Sequence, residues 1–391
     1  MDKCLYCSTR TQQITKKQNE VSIFVEDDHN FMLVEEFIPN IPSKKIADGS
    51  LGFTSPSNIA LVKYWGKKPH QIPANPSMSF TLNHCKTATV LEFSSKTTDD
   101  FSFEVYLDGE KKPDFRPKIK QFFKRIFPYA PYLKHYHFNI KTSNTFPHSS
   151  GIASSASGMS ALAMCIVGLE EQLCTDLDVD YMKRKASFLA RLGSGSACRS
   201  IEGGLVVWGA HDAILGSSDL EGVQYPFEVH DVFKTYQDAI LLVDKGEKQV
   251  SSSVGHDLMH NHPFAQSRFE QAHAHLNQLI PILKSGDLNG FISIVEKEAL
   301  TLHAMMMSSD PYFILMKPNT LEIINSIWAY RKNTTIPVCF TLDAGANVHV
   351  LYPKEYAQKV ELFIKNKLSD FCQNQQYILD NVGNGAKRIK N

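Results

Sequence analysis

The chain has 391 residues, 43% of them hydrophobic, which is enough for one large core or two domains and argues against disorder as its default state. Lysine plus arginine and aspartate plus glutamate both number 41, so an extended nucleic-acid surface is not expected. No run of about 18 apolar residues occurs, and the start MDKCLYCSTRTQQITKK lacks the apolar centre of a signal peptide; a cytoplasmic location away from membranes is expected.

Residues 1–50 read as an N-terminal extension, partly disordered, with short apolar runs at Val21–Val25 and Phe31–Val34 around Glu26, Asp27 and Asp28. Met32 offers an alternative start, which the intact mass of the native protein would decide. The eight cysteines are scattered, as suits reduced thiols, and Cys4 with Cys7 forms a CxxC that has no second pair to complete a zinc site.

From Gly52 the pattern sharpens. Ile59–Val62 reads as a buried strand with Lys63, Tyr64, Trp65, Gly66 and Lys67 at its exit, either a solvated strand end or a cation placed over an anion. After a stiff loop from Pro69 to Pro76, Ser77–Leu82 and Thr87–Phe93 alternate as two strands, followed by Phe101–Leu107 and an Asp108-Gly109 turn. Pro117–Phe127 is an amphipathic basic helix whose charges form a wet face.

Tyr136–Lys141 has strand character and runs into Phe146–Ser160, FPHSSGIASSASGMS, with two glycines and six serines before a helix marked by Met159, Leu162, Ile166, Leu169 and Leu173. A small-residue loop at a helix N-terminus lets backbone N–H groups approach a phosphate, while plain helix capping is the alternative. The Gly-Lys-Ser/Thr of a Walker A loop is missing.

A helix over Asp178–Leu192 ends in Gly193–Ser200, GSGSACRS, where Arg199 is either part of a helix-stopping loop or a planar donor for an anion. A strand over Glu202–Trp208 follows, then a boundary near Tyr225–Lys234 and a strand over Ala239–Val243. Lys248–Gly255 is a polar loop, and His262–Lys284 and Leu288–Met306 are helical. His260, His262, His273, His275 and His303 fit no zinc spacing and are expected on a solvated helical face. Val338–Leu342 and Val348–Tyr352 form a hairpin around Asp343–Asn347, and Gly383 onward is expected to be a loose basic tail.

Taken in order, SPSNIALVKYWGK, FPHSSGIASSASG, GSGSACRSIEGG, VSSSVG and LDAGAN resemble the diphosphomevalonate decarboxylases of the GHMP kinase superfamily, over roughly Gly52 to Tyr352 or beyond. The resemblance implies an α+β GHMP kinase fold: an ATP-binding domain over 51–233 like the second domain of ribosomal protein S5, and a ferredoxin-like domain over 234–391. It implies ATP with Mg²⁺, a homodimer, and conversion of mevalonate 5-diphosphate to isopentenyl diphosphate, CO₂, ADP and phosphate. By the same resemblance, Asp343 is the base, Lys63 orients it, Arg199 holds the substrate carboxylate, and Ser155 stands by the transferred phosphate and the metal. Asn144, Ser149, Ser150, Gly151, Ala153 and Ser154 complete the ATP contacts. Ser194 and Ser196 seat the substrate anion, and Tyr64, Lys67, Ser251 and Ser252 meet its diphosphate. The chain departs from the family pattern at Pro76, at Ala346 and at His148-Ser149-Ser150, which bears on loop shape. The remaining alternatives are a phosphomevalonate decarboxylase, a mevalonate 3-kinase-like enzyme and a non-catalytic binding protein on the same fold. The Asp, Lys and Arg set favours the decarboxylase.

Overall fold

The computed structural model describes residues 34–40, 46–147, 152–174, 177–246 and 252–390. In chain order the first half contains strand β1 (Gly49–Val62), β2 (Ser77–Ser95), β3 (Ser102–Leu107) and β4 (Glu110–Lys111), helix α1 (Arg116–Ile126), β5 (Tyr136–Asn144), helices α2 (Ser154–Leu173) and α3 (Val179–Gly193), then β6 (Leu205–Trp208) and β7 (Val223–Gln224). The second half contains α4 (Asp231–Lys234), β8 (Gln237–Leu241), α5 (Ser252–Asp257), α6 (Ala265–Ser285), α7 (Leu288–Met307), α8 (Pro318–Thr334), β9 (Cys339–Thr341), β10 (Val348–Tyr352), α9 (Ala357–Phe363), β11 (Tyr377–Asn381) and β12 (Lys387–Arg388).

Two sheets result. The larger runs β12-β1-β2-β5-β3-β4, with β6 and β7 continuing from the start of β2, and the smaller runs β11-β8-β10-β9. Among the described residues only β3 with β5 is a parallel pair; the others are antiparallel, as in an α+β fold. The apolar run Ile59–Val62 is explained by burial on both faces of β1, because a strand covered on two sides has no polar face to alternate with. Ile59, Leu61 and Val62 pack in one cluster with Leu276 and Leu279 of α6 and Ile294 and Val295 of α7. The end of β1 is therefore gripped by helices from the second half of the chain.

Several expected elements change. Ser77–Leu82 and Thr87–Phe93 belong to one strand, because the Asp380 carboxylate accepts the N–H groups of Asn83, His84 and Cys85 where the two were expected to separate. The expected loose tail is a strand: β12 pairs through Phe53↔Arg388 and Thr54↔Lys387. Gly383 and Gly385 permit this threading, since a Cβ on either would lie within 2.5 Å of neighbouring backbone. Part of Lys248–Gly255 belongs to α5.

His262, His275 and His303 are buried, against the expectation of a solvated face, whereas His260 and His273 are exposed. Each buried ring has a polar partner: Met305 O for His262, Glu298 for His275 and Asp343 O for His303. Before β1, Phe37 is buried and stacks on Phe188 of α3 at 4.9 Å. Among the described residues no helix is long and apolar enough to cross a membrane.

Candidate active site

The exit of β1 is where buried polar chemistry concentrates. Lys63 is 2% exposed, and its Nζ donates to Asp343 Oδ1 at 2.9 Å across the two halves of the chain. The β9–β10 turn presents Asp343, and the His303 ring on α7 holds that turn through Nε2 and the Asp343 carbonyl, 3.1 Å apart. Behind Lys63 stands a fully buried ion pair. Arg268 of α6 donates to both oxygens of Glu298 on α7, at 3.0 and 2.6 Å. Glu298 Oε2 accepts the Lys63 N–H at 2.8 Å, and Arg268 Nη2 donates to the Lys63 carbonyl at 3.0 Å. The peptide groups on both sides of Lys63 are thus fixed by side chains from the second half.

Arg199 lies in a tight turn, Gly195–Ser200, directly after α3. It is 3% exposed, donates through Nε to Asn58 Oδ1 at 3.3 Å and through Nη1 to the Ser77 hydroxyl, and lies 5.9 Å from the centre of the Trp208 ring. Burial lowers its pKa; Cys198, Asp343 and Tyr64 oppose the shift by favouring the charged form, so the Asp343 carboxylate acts on both site cations. Asn58 locks the turn by donating to Ser196 O at 3.1 Å and Ser200 Oγ at 2.8 Å.

Tyr64 packs on Trp208 at 4.6 Å, and a Cβ added at Gly195 would stand 2.7 Å from the buried Trp208 ring and 3.0 Å from the Tyr64 hydroxyl. Glycine is therefore required where the Arg199 turn meets the β1 exit. Burial pushes the Tyr64 phenol pKa up, so the hydroxyl remains a neutral donor at physiological pH. Lys67 pairs with Asp257 at 3.4 Å.

The structure thus brings together Lys63, Tyr64, Lys67, Ser196, Arg199 and Asp343. Ser194 caps α3, its N–H donating to Ala190 O at 2.9 Å, next to that turn. Ser155, Ser154 and Asn144 instead line a cavity of about 190 Å³ between the sheet, α1 and α2, walled by Val105, Leu107, Ile119 and Ile140. Lys118 donates to Ser155 Oγ there, at 3.0 Å. The Ser57 hydroxyl on β1 donates to the Ile152 carbonyl, tying the approach to α2 to the same strand that carries Lys63. Ala153 sits at the N-cap of α2 with φ 48°, a left-handed conformation unusual for a residue with a Cβ. Ser149, Ser150, Gly151 and Ser251 lie outside the described residues, and Ser252 opens α5.

At the departures from the family pattern, Pro76 lies against Gly209, where φ is 104° and a Cβ would come within 2.5 Å of Pro76 Cα. The Ala346 carbonyl accepts from Thr320 Oγ1 at 2.7 Å. Sequence reasoning missed Asn58, Ser77, Arg268, Glu298 and His303 as site residues. The polar run Ser55-Pro56-Ser57-Asn58 inside a buried strand was a readable signal for Asn58. Arg268 and Glu298 show no local signal, because their partner is a backbone segment more than 200 residues away.

His303 makes the site acid-sensitive. Burial, with Lys63 adding to it, lowers its pKa to about 4 from 6.5. Between those values the unfolded chain binds a proton that the folded chain refuses, so stability falls as pH drops from about 6.5 towards 4. His303→Gln, which keeps a donor for Asp343 O, is expected to flatten part of that slope. Thermal unfolding followed across this pH range checks it.

Residues 55–219 match the family model described as the diphosphomevalonate decarboxylase-like N-terminal domain, and residues 239–389 match the mevalonate 5-diphosphate decarboxylase C-terminal domain. A diphosphomevalonate decarboxylase from Ganoderma lucidum is 28% identical over 336 residues, covering 80% of each chain. Among solved structures, mevalonate diphosphate decarboxylase from Staphylococcus aureus is similar with a TM-score of 0.75 and 28% identity, over 88% of this chain and 98% of that one. A protein designated MDDEF, solved in complex with MVAPP, AMPPCP and magnesium, is similar with a TM-score of 0.75 and 29% identity, over 88% and 100% of the two chains.

Proposed function

We propose an activity for this chain from one premise: it belongs to the diphosphomevalonate decarboxylase family. The protein is an ATP-dependent decarboxylase that converts mevalonate 5-diphosphate to isopentenyl diphosphate, CO₂, ADP and phosphate, a step of isoprenoid synthesis. The observation that carries this reading is the 2.9 Å contact of Lys63 with Asp343 beside a buried Arg199.

The substrate's tertiary hydroxyl is a weak nucleophile and a poor leaving group. Asp343 accepts its proton while the oxygen attacks the γ-phosphoryl group of ATP in line. Lys63 holds the carboxylate in one orientation for that transfer. Phosphate then departs from the tertiary carbon, and the electrons of the adjacent C–CO₂⁻ bond form the alkene as CO₂ leaves. Arg199, which donates to Asn58 and Ser77, holds the carboxylate as a fork-shaped donor. Once its proton has passed to solvent, the Asp343 carboxylate also stabilises positive charge developing on the carbon. Tyr64, Lys67, Ser251 and Ser252 take the diphosphate end, and Ser194 and Ser196 the rest of the anion.

ATP is seated by Asn144, Ala153, Ser154, Ser155 and the neighbouring Ser149, Ser150 and Gly151, with the apolar cavity beside Ser154 suited to its base. Among the described residues no group of three or more acidic, histidine or cysteine side chains could hold a metal. Mg²⁺ would be held by ATP phosphate oxygens together with Ser155. Held there, the ion would supply neutralisation of charge on the triphosphate. The working division is an extension over 1–50, an ATP-binding half over 51–233 and a C-terminal half over 234–391, acting as a cytoplasmic homodimer. Sedimentation of the purified protein tests the dimer.

The decisive assay supplies ATP with mevalonate, its 5-phosphate or its 5-diphosphate and follows ADP and CO₂ separately. Both products are expected with the diphosphate. ADP without CO₂ would indicate a 3-kinase, and preference for the monophosphate would reassign the substrate. Arg199→Ala is expected to reduce CO₂ release by about 10²–10³-fold, the usual effect of removing one preorganised donor from a dry site.

A further inference from the structure

One buried titratable ring at the β1 exit has no part in the chemistry above. His256 on α5 is 9% exposed and packs against two rings, Tyr64 at 4.1 Å and Trp65 at 4.8 Å between centres. Its Nδ1 accepts the Gly66 N–H at 3.0 Å, which puts the proton of the neutral ring on Nε2. Its neighbours fix this pose. A Cβ on Gly255 would stand 2.5 Å from the Trp65 ring, so α5 lies hard against that side chain, and Asp257 pairs with Lys67.

The opposite edge of the ring therefore carries an N–H donor. Among the described residues no acceptor meets it, and the atom is not among those sealed from solvent without a partner. Burial, then Lys67 and Arg199, lowers the ring's pKa to about 3, so the donor is neutral around pH 7. The two cations that act on it are those assigned above to the substrate's diphosphate and carboxylate. A neutral N–H donor in the field of two cations suits an anionic oxygen.

We propose that His256 donates its Nε2–H to the diphosphate group of the substrate and so helps set affinity for the diphosphate end, together with Tyr64 and Lys67. This rests on the decarboxylase reading given above. His256 is a binding residue on that view, and its other nitrogen shapes the loop through Gly66.

Two amides separate these jobs, because the asparagine amide overlays Nδ1 and the glutamine amide overlays Nε2. His256→Asn is expected to keep the Gly66 contact and raise KM for mevalonate 5-diphosphate about 10-fold or more, with a smaller change in kcat, the scale of one lost hydrogen bond to a charged group. His256→Gln is expected to restore KM towards the wild-type value. Thermal unfolding of both variants establishes that they fold. An unchanged KM in a folded His256→Asn variant overturns the proposal. Equal KM increases in both variants also overturn it, because the ring would then act only through loop shape. Should the wild type fail to turn over mevalonate 5-diphosphate, the activity reading falls instead. Calorimetric titration with inorganic pyrophosphate, with a non-hydrolysable ATP analogue present, then decides the role of His256: weaker binding by His256→Asn than by wild type supports it, and equal binding overturns it.

Discussion

Asp343→Asn is expected to lower turnover by about 10²–10⁴-fold while leaving ATP affinity within about twofold, the loss associated with a positioned general base. Asparagine has the same shape, and its Oδ1 still accepts from Lys63 Nζ, so the 2.9 Å contact across the two halves persists. The backbone carbonyl still meets His303. What disappears is the second electron-rich oxygen that takes the proton of the tertiary hydroxyl. Single-turnover formation of ADP reads this step directly, because it precedes loss of CO₂. Calorimetric ATP binding and the unfolding temperature serve as controls. Turnover within tenfold of wild type in a folded variant would remove Asp343 as the base and with it the mechanism.

The parts of this site that could be read from sequence are those where a local string carries both the element and the chemistry. Ile59–Val62 announces a buried strand, and a lysine at its exit is conspicuous because nothing else in that run is charged. The Asp343 turn is legible for the same reason, lying between two apolar strands that pair as expected, with Val350↔Phe340 and Leu351↔Cys339 in register. What stayed hidden is long-range compensation. Asp380 joins two expected strands into one by satisfying three N–H groups about 300 residues earlier, and no local pattern reports such a partner. The basic tail reads as solvated because Lys387 and Arg388 are polar, yet its backbone completes the edge of β1. The histidines of α6 and α7 were expected in solvent because their spacing matches no metal motif. His275 and His303 are instead buried by polar partners, a glutamate and a backbone carbonyl, that helical periodicity does not reveal.

Glu298→Ala is expected to give the largest loss of stability among single changes at this site. The carboxylate is fully buried, and burial by itself would raise its pKa. Arg268 foremost, then His275 and the Lys63 N–H, outweigh that and hold it low, so it remains charged. Removing it leaves the Arg268 guanidinium buried without its counter-ion, a defect of about 3–5 kcal/mol against a total stability of roughly 5–15 kcal/mol. The Lys63 N–H also loses its acceptor, adding about 1–3 kcal/mol. Urea unfolding measures the sum. One further double variant separates stability from positioning. Arg268→Met combined with Glu298→Leu removes both charges and fills the space, so much of the lost stability is expected to return. Activity is not expected to return with it, since the peptide groups on either side of Lys63 would still lack the partners that aim its side chain at Asp343. Wild-type turnover in the folded double variant would mean that the ion pair only fills the core, and that β1 alone sets the position of Lys63.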